Sequence, residues 1–174
     1  YKGVIPVDFA GYPVNVERLR EICDKHNLWI VEDACHAPGG YFIDSNSKRQ
    51  KCGNGNYSDT QIFSFHPVKH IATGEGGMVT TNNKLLYEKL KRLSSHGIVK
   101  DSSLLEENHG GWYHEMQELG YNHRLSDINC ALGVSQLKRA KLGVESRNNI
   151  AKRYNKVFSN VNGIDTPSVM DGIY

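Results

Sequence analysis

The chain has 174 residues and a mass of 19.6 kDa, enough for one domain with its own hydrophobic core and tight for two. Hydrophobic residues at 39%, charged residues at 23%, 17 Gly and 5 Pro exclude a disordered or a collagen-like chain. Twenty-one Lys and Arg against 19 Asp and Glu give a formal charge of +2, far from the concentrated positive charge that neutralises a phosphate backbone, so nucleic acid is not an expected partner. No apolar stretch approaches the roughly 18 to 20 residues of a membrane span, and no basic segment followed by an apolar run opens the chain, so a soluble cytoplasmic protein without a membrane partner is expected. Cys23, Cys35, Cys52 and Cys130 show no CxxC pairing and are expected as reduced thiols rather than zinc ligands or disulfides.

In chain order, Val4, Ile5, Val7 and Phe9 form an apolar run closed by the breakers Gly11 and Pro13, which predicts a buried strand. Asn15 stands where a helix N-cap belongs, and Val16, Leu19, Ile22, Cys23 and His26 follow on one face, so a helix is expected to run to about Asn27. Leu28 to Val31 is a second apolar run leading into Glu32 and Asp33. The first 33 residues thus read as strand, helix, strand, a right-handed parallel crossover with both strands in one sheet. From Pro38 to Ser58 the chain is polar and Gly-rich, which predicts a surface loop or weak hairpin.

Gln61 to Phe65 has the aromatic and β-branched character of a third strand, ending at His66 and Pro67. After Gly74, Glu75, Gly76 and Gly77, the run Met78 to Thr81 is spaced to turn back beside its predecessor. Asn82 or Asn83 then caps a helix whose apolar stripe is Leu85, Leu86, Leu90 and Leu93. Residues 94–123 carry no steady period and are expected to be irregular. Ser126 caps a further helix with Asp127 in its first turn and Ile128, Ala131, Leu132, Ser135 and Leu137 inward, and a last helix is expected over roughly Val144 to Asn160. The chain opens directly on a strand-like run and stops after Asp171 and Tyr174 without a closing element, so a piece of a longer protein is expected.

In an open parallel sheet, ligands bind at the carboxyl ends of the strands, which is where Asp33 and His36 follow one strand and Ser64 to Lys69 follow another. These groups are expected to converge on one crevice. Lys69 comes just beyond a strand in a turn stiffened by Pro67, and a lysine that loses solvation in a crevice can attack a carbonyl as the neutral amine. His66 and His70 are four apart, but Pro67 lies between them and no third ligand stands at a suitable interval, so no metal site is expected. Gly74 to Gly77 lacks the Lys and Ser or Thr of a phosphate-binding P-loop and reads as a tight turn. Neither GxSxG nor HExxH occurs.

The segments Val31-Glu32-Asp33-Ala34-Cys35-His36-Ala37, Phe63-Ser64-Phe65-His66-Pro67-Val68-Lys69, Gly74-Glu75-Gly76-Gly77 and Gly120-Tyr121-Asn122-His123-Arg124-Leu125-Ser126-Asp127-Ile128 can be taken together. In order and spacing they resemble the nucleotide-sugar aminotransferases of the DegT/StrS type, fold type I enzymes dependent on pyridoxal 5'-phosphate (PLP). The resemblance implies an α/β fold, the central part of the large domain of such a transferase, with a mostly parallel sheet flanked by helices. It implies that residues 1–143 belong to the PLP-binding large domain and that residues 144–174 form a long helix leading to a small carboxyl-terminal domain mostly absent here.

By position, Lys69 matches the lysine that forms a Schiff base with PLP and then moves the proton. Asp33 matches the carboxylate paired with the pyridinium nitrogen, His36 a residue beside the ring and its phenolic oxygen, and Ser64 a hydroxyl on the phosphate. Asn122 matches a residue reaching the phosphate from a second subunit, with Arg124 a weaker candidate for the same neighbourhood, so a homodimer with shared sites is implied. The segments Ser95 to Ile98 and Gly111 to Gly120 look most like the branch that makes UDP-4-amino-4,6-dideoxy-N-acetyl-β-L-altrosamine, the pseudaminic acid precursor. That branch aminates C4 of a UDP-linked 4-keto-6-deoxy-N-acetylhexosamine with L-glutamate as donor. Complete members of the family also have an amino-terminal part with a Gly/Thr-containing phosphate loop. Two alternatives stand beside this reading: an inactive fragment, and a non-catalytic regulator built on an aminotransferase fold.

Overall fold

The computed structural model describes residues 1–170 and 172–173. Asp171 and Tyr174, with which the expectation for the carboxyl terminus ends, lie outside the described residues.

Strand β1 (Gly3–Val4) leads through an extended segment and a 3-10 turn (Phe9–Gly11) into helix α1 (Val16–His26), which returns to β2 (Trp29–Asp33). A hairpin of β3 (Tyr41–Ile43) and β4 (Arg49–Lys51) follows, then β5 (Thr60–Ser64), β6 (Gly77–Thr80) and α2 (Lys84–Leu93). Short strands β7 (Ile98–Val99) and β8 (Glu115–Met116) precede one long helix, α3 (Asp127–Phe158). The main sheet has the order β1-β2-β5-β6; β1 with β2 and β2 with β5 are parallel, and β6 runs back antiparallel to β5. This is the mostly parallel α/β arrangement expected, including the return of the fourth run beside its predecessor.

The local chemistry explains α1 closely. Asn15 Oδ1 accepts the Arg18 N–H at 2.9 Å, and Asn27 closes the helix in the left-handed conformation at φ 52°. Val16 and Cys23 turn inward and pack with Ile30 of β2, flanked by Val4, Val14, Leu19, Leu28 and Tyr57. Ile22 and His26, expected on the same face, are exposed, because only one narrow stripe of the helix meets the sheet.

Three other expectations are corrected. The first strand is two residues long, since Pro6 has no N–H to donate to a ladder. Beyond it only Val7 bridges to Asp33, and Ile5, Val7 and Phe9 are exposed rather than buried. In α2 the stripe is Leu86, Leu90 and Leu93, with Leu85 78% exposed. The two helices expected after Ser126 are one helix of 32 residues, because Gly143 sits in mid-helix without a breaker beside it, and Ile128, Leu132 and Leu137 face outward. The polar stretch from Pro38 to Ser58 is the weak hairpin. Its turn is organised by buried Asp44, which accepts from Asn46 N, Lys48 N, Gln50 Nε2 and Tyr57 Oη, and the Lys48 N–H above all holds its carboxyl below the usual range.

Candidate active site

Asp33 ends β2 and Ser64 ends β5, and the two strands are parallel neighbours with Asp33 registered on Ile62. Both side chains therefore leave the same edge of the sheet. Ala34 N–H donates to Ile62 O at 3.0 Å and Asp33 N–H to Pro6 O at 2.9 Å, which fixes the end of β2 from both sides. Asp33 Oδ1 accepts the Cys35 N–H at 3.1 Å, and His36 Nδ1 accepts the Ala10 N–H at 3.3 Å. Burial first, then the Asp33 carboxylate, push the Cys35 thiol up to about 11, while the charge of Lys69 acts in the opposite sense. Cys35 Sγ also meets Ile62 O of β5 at 3.8 Å, which ties the stretch after β2 to the strand that leads into the Lys69 turn.

Lys69 is held by the turn that follows β5. Ser64 Oγ accepts the His66 N–H at 3.4 Å, His66 O accepts the Lys69 N–H at 2.9 Å, and the turn is tied to the glycine loop by Phe65 N–H to Gly76 O (2.8 Å) and Thr73 N–H to Phe65 O (2.9 Å). The loop needs its glycines: at φ 148° a Cβ on Gly76 would come within 2.7 Å of Leu125 and 2.8 Å of Thr73 Oγ1. Lys69 is half-buried. Beside it, burial and then the charges of Arg147, His36 and Lys69 hold His70 below the ordinary imidazole range.

α3 reaches the same region along its length. Asn129 Nδ2 donates to Thr73 O, and to Glu75 O at 3.2 Å; Val144 lies against Gly39, and Arg147 is charge-coupled to His70. Asn129 and Arg147 were not singled out from the sequence, since neither belongs to a motif that names its chemistry, and His70 was weighed only as a metal ligand beside His66. The one signal that could have found Asn129 is its place in the first turn of α3, three residues past the cap.

Asp33, His36, Ser64 and Lys69 are brought to one region. Asn122, exposed, forms an isolated antiparallel bridge with Ser95 beyond the end of α2, and Arg124 is exposed nearby. Among the described residues no group of three or more His, Cys, Asp or Glu could hold a metal ion; His66 Nε2 meets Glu75 at 3.9 Å, not His70. Two open clefts, of about 510 and 440 Å³, lie around residues 106–117 and 87–104, and Lys69 lines neither. No helix among the described residues is long and apolar enough to cross a membrane, and all four cysteines are free thiols.

A carboxylate, a half-buried primary amine, an imidazole and a hydroxyl at the ends of adjacent parallel strands fit a phosphorylated pyridine aldehyde: Asp33 suits its ring nitrogen, Lys69 its carbonyl and Ser64 its phosphate.

The sequence profile of the DegT/DnrJ/EryC1/StrS aminotransferase family matches residues 1–172. A UDP-4-amino-4,6-dideoxy-N-acetyl-beta-L-altrosamine transaminase of Campylobacter jejuni (strain 81-176) is 42% identical over 165 residues, covering 95% of this chain and 40% of that protein. The structure of Helicobacter pylori PseC, an aminotransferase involved in the biosynthesis of pseudoaminic acid, superposes with a TM-score of 0.78 at 35% identity, covering 92% of this chain and 39% of that one. A putative sugar aminotransferase of Streptococcus pneumoniae in its PMP form gives 0.83 at 27% identity, covering 99% and 46%. The chain spans about two fifths of the length of the relatives it matches. Its sheet and helices are a fragment of the fold type I transferase domain.

Proposed function

The chain belongs to the DegT/DnrJ/EryC1/StrS aminotransferase family, and on that premise we propose that it is the lysine-bearing part of a PLP-dependent nucleotide-sugar aminotransferase. The observation that carries the proposal is the placement of Asp33 and Ser64 at the ends of adjacent parallel strands, with Lys69 in the turn that leaves Ser64. When bound, PLP supplies an aldehyde that captures amines and a ring that accepts the electron pair left by a broken C–H bond. Asp33 would pair with the ring nitrogen and hold a proton there. Ser64 Oγ, whose lone pair receives the His66 N–H, would donate its own hydrogen to the phosphate. Lys69 Nζ would hold the cofactor's carbonyl and would move the proton at the reacting carbon. His36 would stand on the ring side of the site. In this reading residues 1–143 belong to the cofactor-binding domain, and residues from 144 onward lead toward a small carboxyl-terminal one.

The finer reading is supported by relatives named for a UDP-linked amino sugar and for pseudaminic acid synthesis. On the resemblance of the motifs, the acceptor is a UDP-linked 4-keto-6-deoxy-N-acetylhexosamine, aminated at C4 in nonulosonic (pseudaminic) acid or related surface-sugar synthesis, and L-glutamate is the donor. The protein acts in the cytoplasm as a homodimer, in which the exposed Asn122 serves the partner's phosphate site.

The test is the visible absorption of the purified chain with added PLP, followed by borohydride reduction and peptide mapping by mass. A band that reduction traps on Lys69, and that Lys69→Ala abolishes, is the expected result. The short span favours a second reading, a fragment without activity of its own. A band that appears only when the chain is extended to the length of its relatives supports that reading, and trapping on any residue other than Lys69 overturns the assignment.

A further inference from the structure

His36 is held by an element that no motif above includes. The 3-10 turn Phe9–Gly11 follows Asp8, and its three N–H groups are all hydrogen-bonded, to Val7 O, His36 Nδ1 and Asp8 O. Asp8 N–H donates to Asp33 O at 3.0 Å, Gly11 N–H to Asp8 O at 3.1 Å, and Tyr12 N–H to Phe9 O at 3.0 Å. The Asp8 side chain, 1% exposed, accepts the Val14 N–H through Oδ1 at 2.8 Å and so closes the far end of the loop. Within this frame Ala10 adopts φ 55°, a left-handed conformation that costs a residue with a Cβ about 1 kcal/mol. The turn is also pressed against the backbone it serves, since a Cβ on Gly11 would stand 3.1 Å from His36 O.

The outcome of that conformation is that the Ala10 N–H points at His36 Nδ1, 3.3 Å away, while the Phe9 ring packs against the imidazole at 5.6 Å between centroids. A backbone N–H can only donate. Nδ1 must therefore offer its lone pair, and the neutral ring must carry its hydrogen on Nε2. The same turn that is bonded to the end of β2 through Asp33 O thus selects a tautomer three residues further on.

We propose that the Asp8-anchored turn Phe9–Gly11 is a positioning device for His36, whose Ala10 N–H fixes Nδ1 as an acceptor so that the imidazole presents Nε2–H as a donor to the ligand bound at Asp33 and Lys69. The last clause rests on the proposed function; the tautomer does not. Ala10 and Asp8 act through His36 and are positioning residues. The ligand class this favours is one with an acceptor oxygen or anionic group on the His36 side of the ring.

Long-range proton–nitrogen correlation spectra of the nitrogen-15-labelled chain test this without PLP, at about pH 8, above the ordinary imidazole range. The His36 signals are identified by their loss in His36→Phe. In the parent chain His36 should show a protonated Nε2 and a bare Nδ1. In Ala10→Pro, which removes the N–H and cannot hold φ 55°, that preference should give way to tautomer averaging. A parent chain that already averages, or an Ala10→Pro chain that folds and keeps the preference, overturns the proposal. Should Ala10→Pro fail to fold, amide exchange decides. In His36→Phe, altered at a half-exposed position, the Ala10 amide should exchange at least about tenfold faster while Gly11 is unchanged, and an unchanged Ala10 rate overturns the proposal. Neither readout involves PLP, so failure here leaves the lysine trapping untouched, and failure of trapping leaves these results standing.

Discussion

Asp8 is where burial and charge oppose each other most directly in this chain. Its Oδ1 is bonded to Val14, but Oδ2 is buried without a hydrogen-bond partner, and the equally buried Glu32 carboxylate lies close, its own oxygens taken by Gly53 N and Ser58 Oγ at 2.7 Å each. Burial, more than Glu32, pushes Asp8 up to about 7 from an ordinary 3.8. The native chain thus keeps a proton that the unfolded chain gives up between those two values. Stability from this group is whole below about pH 4, falls as pH rises toward 7 and is flat beyond it. Asp8→Asn keeps the oxygen that Val14 needs and removes the buried charge. Urea unfolding should show the parent losing on the order of 2 to 4 kcal/mol between about pH 4 and pH 8, relative to a variant that lacks this slope and is the more stable of the two at pH 8. Equal slopes would show that Asp8 does not keep its proton. The contrast with Asp33 shows what a sequence discloses. Asp33 could be singled out because it ends an apolar run, and a strand's carboxyl end is a place where ligands gather. Asp8 also sits in an apolar run, but its role depends on being covered by Val14 and Glu32, and coverage by residues distant in the chain has no local signature.

Among the elements, α1 and α3 were opposite cases for sequence reading. α1 is bounded by two residues whose side chains or backbone suit the two ends of a helix, Asn15 and Asn27, and both boundaries could be read for that reason. Asn15→Ala leaves the Arg18 N–H without its side-chain acceptor and should lower global stability by about 1 kcal/mol, read as a shift in the urea midpoint with no change in slope. Asn15→Asp, which preserves the acceptor, should restore it; a loss shared by both variants would place the effect elsewhere. For α3, the cap Ser126 and acidic Asp127 were likewise legible, but its inward face was not. The helix meets the glycine loop through Asn129 and Gly133, a polar and a small position, and the segment at Gly39 through Val144. The apolar residues that periodicity favours, Ile128, Leu132 and Leu137, are exposed on the flanks of that face. Periodicity reports which face wants cover, not which face receives it in this chain.

That unmet demand is the dominant property of the molecule as a whole. A folded monomer of this mass exposes about 8,600 Å² by the usual surface scaling, whereas this chain exposes 12,551 Å². The excess, about 4,000 Å², is the size of a large obligate interface rather than a scatter of surface side chains. Part of it is the bare apolar surface of α3, where Ile128 is 83% exposed, Leu142 67%, Leu137 59% and Val134 56%. Few of the residues that make a core are fully buried, and they cluster around Ile30 and Ala34 on the main sheet. A chain spanning two fifths of its relatives' length carries surfaces of the kind that the remaining length, or a second copy, would bury. Apolar area of this extent drives association in water whatever the native partner, because each square ångström removed from solvent is worth about 25 cal/mol. Sedimentation equilibrium of the purified chain should therefore give a mass above 19.6 kDa that rises with concentration. Replacing Leu137 and Leu142 together by Lys, both exposed and outside the site, should return it toward the monomer while far-UV circular dichroism stays helical. A parent chain that sediments as a monomer at every concentration would mean that α3 finds its cover within the chain, folded back onto the sheet in a way the present arrangement does not show.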